Sequence, residues 1–134
     1  MSLLAPISVA ELFDKISILE LKAAAIADPP KRANVLRELA ALQEVRRREV
    51  RPVPGLDALY GELEAVNRRL WEIEDALRAQ ERDGRFDAGF IDLARSVYRE
   101  NDRRAAVKHR INTLTGSDIV EEKSYLPAAD DTDP

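Results

Sequence analysis

Between residues 56 and 77 the apolar side chains fall at Leu56, Leu59, Leu63, Val66, Leu70, Ile73 and Leu77, in alternating steps of three and four. A strand turns the same face every two residues, so this rhythm belongs to a helix that lays one continuous apolar seam against another helix. Pro52, Pro54 and Gly55 precede the seam and Gly84 follows it, residues that interrupt a helix or supply turn geometry. Beyond Gly84, Phe86-Asp87 reads as an apolar residue plus N-cap, with Phe86 placed to staple onto Ile91. The helix that starts there is predicted to run to about Thr115 and to stop at Gly116. Two long helices joined by a short turn fold back on each other, so an antiparallel hairpin is expected.

Two further helices precede it. Ser8 and Glu11 have the spacing of a capping box, and Val9, Leu12, Ile16, Leu19, Ala23 and Ile26 follow in helical register. Phe13, Ile18 and Leu21 lie off that stripe, so helix 1 is apolar on more than one side and is expected between partners. Asp28-Pro29-Pro30 ends it. A second helix, roughly Lys31 to Arg51, turns Val35, Leu39 and Leu42 inward and ends in Arg46, Arg47 and Arg48, where cations suit the helix dipole. The expected fold is therefore all-α and four-helix bundle-like, with a long antiparallel hairpin of helices 3 and 4 and a short docked segment from Ser117 to Tyr125. A chain of 134 residues suits one domain, taken as 1–126, and the acidic, proline-containing stretch 127–134 is expected to be disordered.

Charge and composition narrow the function. With 21 basic and 25 acidic residues the chain carries a net charge of −4, which disfavours nucleic acid and anionic membrane surfaces as partners. The absence of cysteine excludes disulfides, zinc-thiolate sites and a thiol nucleophile. No stretch is apolar over the length of a bilayer and no cationic leader precedes an apolar run, so a cytoplasmic location is expected.

No complete reaction centre is written in the sequence. Glu11 with Asp14, and Glu72 with Asp75, put paired carboxylates on one helical face, as a magnesium-dependent hydrolase would need. Asp118 with Glu121 and Asp130 with Asp133 repeat the spacing, as expected of a chain this acidic, and Glu11 already has a role as a cap. His109, the single histidine, stands between Lys108 and Arg110 on a helix surface. Arg46 to Arg48, and the group Arg103, Arg104, Lys108 and Arg110, read as solvated or ion-paired faces. Neither a cofactor nor a metal is implied.

Several stretches carry a family resemblance: Ile7 to Lys22 (ISVAELFDKISILELK), Leu70 to Asp75 (LWEIED), and the run from Phe86 to Tyr125. Within that run stand Leu93 to Tyr98 (LARSVY), Asn101 to Ala105 (NDRRA), Ile111 to Thr115 (INTLT) and Val120 to Tyr125 (VEEKSY). This text resembles an uncharacterised family of short bacterial helical proteins, a domain of unknown function. Ala10 departs from the glycine often found at that point, a change that suits a first helical turn. The resemblance implies a surface-polysaccharide setting and no particular reaction.

One pattern calls for a chemical explanation. On helix 4, Asn101, Arg104, Lys108 and Asn112 fall on or beside the inward side marked by Phe90, Ala94, Val97, Ala105 and Ile111. On helix 3 the neighbouring row is Tyr60, Glu64, Asn67, Trp71, Glu74 and Arg78. Polar groups buried without partners cost several kcal/mol, so they must pair, reach water or meet a ligand. Asp14, Lys15, Glu20 and Lys22 of helix 1, with Asn67, Glu74, Asn101, Arg104 and Lys108, form the candidate ligand-binding set; no residue is assigned a catalytic role. Two functions are carried forward. One is a non-catalytic binding or assembly module that forms a homodimer or takes a protein partner. The other is a small-molecule enzyme or sensor for an anionic, phosphorylated or nucleotide-sugar, ligand.

Overall fold

A computed structural model of the chain describes residues 1–127, and among these stand four helices and no strand. They are α1 (Val9–Ala25), α2 (Pro29–Glu49), α3 (Leu56–Arg82) and α4 (Ala88–Thr115). The expected acidic tail, apart from Pro127, lies outside the described residues.

The helix boundaries follow from local chemistry. The Ser8 hydroxyl accepts the Glu11 N–H at 2.9 Å and opens α1. Glu11 does not complete the expected capping box: its carboxylate reaches across to Lys108 of α4 and meets Lys15 of its own helix, because a cation offers it more than a second cap bond. At the other end the Asp28 side chain accepts the Lys31 N–H, and Pro29 and Pro30 occupy the first turn of α2. The double proline thus opens α2 as well as closing α1, since the first turn needs no N–H donors and proline already has helical φ. For that reason α2 starts two residues before Lys31. Gly55, at φ +90°, turns the chain into α3, a conformation that strains any residue with a Cβ. Asp87 caps α4 through the Phe90 N–H at 3.1 Å, and Gly116 ends it at φ +65°.

Helices α3 and α4, of 27 and 28 residues, each extend about 40 Å and pair antiparallel along their length. Helix α1 is only 17 residues long and packs on both of them, while α2 packs along α1. Contacts locate the crossing: Ala10 meets Asn112, Asp14 meets Asn67 and Arg104, and Glu20 meets Tyr60. All of these lie in the proximal half of the hairpin, where α3 begins and α4 ends. The core is there too, formed by Ala10, Leu12, Phe13 and Ile16 of α1 against Leu56, Leu59 and Leu63 of α3 and Val107 and Ile111 of α4. Arg46 of α2 lays its guanidinium over the rings of Phe13 and Tyr60, 4.4 and 4.7 Å from their centroids.

The distal half is different. Between residues 68 and 99 only Ile73 among the apolar residues is buried; Leu70 and Leu77 of the seam are half-buried because each meets one partner helix instead of two. Phe86 is 58% exposed and rests edge-on against Phe90 at 5.2 Å, while Ile91, the expected staple partner, is itself exposed. No helix of the described residues is long and apolar enough to cross a membrane.

After Gly116 the chain runs back along α4 and is docked by polar bonds. Ser117 accepts the Val9 N–H through its hydroxyl at 3.2 Å. Glu121 accepts from the Ser8 hydroxyl and, at 3.1 Å, from the Asn112 amide, and Lys123 pairs with Asp102.

Candidate functional site

The polar row closes on Asp14. This residue follows Phe13 in the second turn of α1, on the face pressed against the hairpin, and it is 1% exposed. Arg104 of α4 brings its guanidinium fork to both carboxylate oxygens, with Nε 3.1 Å from Oδ1. Lys108, one turn on, reaches Oδ2 at 3.3 Å and Glu11 at 2.7 Å. From α3 the Asn67 amide donates to Oδ1 at 2.9 Å and to the Ser17 hydroxyl at 3.0 Å. Burial alone would push the Asp14 carboxyl up. Hydrogen bonds from Arg104 and Asn67, with the charges of Arg104 and Lys108, outweigh it and hold the group below the usual carboxylate range. A carboxylate held ionised by two cations and an amide is a weak proton acceptor, so the chemistry it performs best is to tie three helices together.

Two smaller polar contacts flank this cluster. Toward the N-terminus of α1, the Asn112 side chain accepts the Ala10 N–H at 2.9 Å and donates to Glu121, whose carboxyl burial raises but Ser8, Lys108 and Asn112 hold below its ordinary range. Toward its C-terminus, the Tyr60 hydroxyl donates to Glu20 at 3.0 Å. Burial, followed by the Glu20 charge, pushes the phenol above its usual range, and the same two causes raise the Glu64 carboxyl.

Of the nine candidate residues, Asp14, Asn67, Arg104 and Lys108 therefore meet in one cluster, and Glu20 lies beside it. Lys15 is exposed and faces Glu11 at 3.8 Å. Lys22 sits in the last turn of α1, and Glu74 is exposed in the distal half, paired with Arg78 at 2.9 Å; neither joins the cluster. Asn101 makes no bond to Asp14 and lines a cleft whose inner end Arg104 and Lys108 reach. Sequence reasoning missed Ser17 and Glu100. Glu100 is 2% exposed, paired through Oε1 with Arg69 at 3.0 Å and with Arg103, and its Oε2 has no hydrogen-bond partner among the described residues. The signal was present: Val97, Glu100, Arg104, Val107 and Ile111 step by three and four along α4, the same rhythm that marks the seam of α3.

A cleft of about 710 Å³ opens between the middle of α4 and the segment 121–127. Arg95, Tyr98, Arg99, Asn101 and Asp102 line one side, and Glu121, Lys123, Tyr125, Leu126 and Pro127 the other; Arg104 and Lys108 reach its inner end. Among the described residues no three His, Asp or Glu side chains gather as they would to hold a metal ion.

Comparison with curated proteins and with solved structures returns no match. The model of one protein family, described as a family of unknown function, spans residues 3–134, almost the whole chain. The chain belongs to this family of unknown function, DUF6165.

Proposed function

We propose that the protein is a non-catalytic assembly module of the cytoplasm that joins a second copy of itself through the distal half of the α3–α4 hairpin. The observation that carries the proposal is the groove that α1 fills only in part. Asn67 and Arg104 mark its proximal floor beneath Asp14. Helical register continues the same groove distally through Leu70, Trp71 and Leu77 on α3 and Phe90, Ala94 and Val97 on α4. All six are half-buried within the chain. Two such hairpins stacked groove to groove would form one four-helix bundle from their two distal halves and take these side chains out of water. The closed network around Asp14 supports a non-catalytic role, since its charged groups satisfy each other. A surface-polysaccharide setting belongs to the same proposal and rests on the resemblance alone.

Light scattering coupled to size-exclusion chromatography tests it. At tens of micromolar the expected mass is twice 15.1 kDa. Trp71→Glu, which places a charge in the groove, should halve that mass while far-ultraviolet circular dichroism keeps its helical signature. A wild-type monomer under these conditions, or a Trp71→Glu variant that remains dimeric, would overturn the proposal.

A further inference from the structure

We infer that the cleft between α4 and the segment 121–127 binds a phosphorylated ligand that carries a flat ring, of the nucleoside diphosphate class. Its volume of about 710 Å³ lies within the usual range for small-molecule sites. Two tyrosines line it, Tyr98 at 68% and Tyr125 at 81% exposure, large rings left in water although the same cleft holds Leu126 and Pro127. Exposed rings beside an open cleft offer a face on which a base can stack.

Charge points the same way. On a chain of net charge −4, five cations line this one cleft: Arg95, Arg99, Arg104, Lys108 and Lys123. Arg104 and Lys108 are held from behind by Asp14 and Glu11, and Lys123 is paired with Asp102. Arg95 is exposed and makes no hydrogen bond or ion pair among the described residues. It lies one helical turn from Tyr98 and Arg99, so its planar fork is free to take two phosphate oxygens while a ring rests on Tyr98. The carboxylates of the cleft restrict the ligand further. Glu121 already accepts from Ser8 and Asn112, and Asp102 already faces Lys123, which leaves Glu122 to accept hydroxyl donors. A ligand with anionic, aromatic and hydroxyl-bearing parts, as in a nucleoside diphosphate, answers all three features; a bare anion answers one.

Isothermal titration of the full chain with ADP and with UDP tests the inference, with adenosine, uridine and inorganic pyrophosphate as comparison probes. Saturable binding of at least one diphosphate is expected, tighter than binding of its nucleoside or of pyrophosphate. Arg95→Ala should weaken it by about tenfold or more, and Tyr98→Ala by about five- to a hundredfold, whereas Tyr98→Phe should retain it. Both positions are exposed, and circular dichroism would verify that each variant folds. The inference is overturned if neither diphosphate binds at millimolar concentration, if pyrophosphate binds as tightly as the diphosphates, or if Arg95→Ala and Tyr98→Ala leave binding unchanged.

Discussion

Replacing Arg104 with methionine removes the fork from Asp14 and keeps most of the side-chain volume. Breaking a buried ion pair by removing one partner costs about 3–5 kcal/mol when the stranded charge has no other support. Asp14 is 1% exposed, so its charge cannot recover its lost partner from bulk water, yet Lys108 and Asn67 remain within 3.3 and 2.9 Å. With part of the support retained, the expected loss is about 2–3 kcal/mol. Urea unfolding followed at 222 nm would read it as a lower midpoint at unchanged slope. Asp14→Asn in the Arg104→Met background should then cost little more, because the amide removes the stranded charge and can still accept from Asn67. The two changes should thus be non-additive by about 1–3 kcal/mol. If Arg104→Met costs under about 0.5 kcal/mol, or if the two changes simply add, the cluster is not the tie between helices inferred from its geometry.

Acid should loosen the fold by the same route. Because Asp14 is held below the usual carboxylate range, the unfolded chain takes up its proton first, so stability is full above the ordinary aspartate pKa of about 3.9 and falls as the pH drops through the lower folded value. Urea midpoints measured between pH 7 and pH 3 should show this fall, and Asp14→Asn should flatten it. Ser8→Ala should cost about 1–2 kcal/mol by removing the N-cap of α1, and hydrogen exchange should speed up at 117–123 because Glu121 loses the hydroxyl that docks it.

The sequence made the helices legible because helix formation and termination are local. Ser8, Asp28, Gly55, Asp87 and Gly116 each act within a turn of their own position, and each marks a helix end in the structure. The polar row was legible as a demand: inward amides and charges had to find partners. Which partners they found depended on the angle at which α1 crosses the hairpin, and no local pattern encodes that angle. Had α1 lain along the whole hairpin, Glu74 and Lys22 could have joined Asp14; because it crosses only the proximal half, Glu74 is left beside Arg78 in solvent. The cleft was illegible for a similar reason. It needs the segment after Gly116 to return along α4, and that path is set by Glu121 and Lys123 meeting side chains far away in the sequence.

The division of the hairpin explains why its charges differ in kind. In the proximal half, α1 removes water from the groove, so a carboxylate there must be matched or it would destabilise the fold, and Arg104, Lys108 and Asn67 match Asp14 almost completely. In the distal half no third helix removes water, so Glu74 and Arg78 can meet on the surface at little gain and Arg95 can remain without a partner among the described residues. Glu100 stands at the border between these regimes. It is buried as deeply as the core, its two arginines are largely exposed, and one of its oxygens has no hydrogen-bond partner among the described residues.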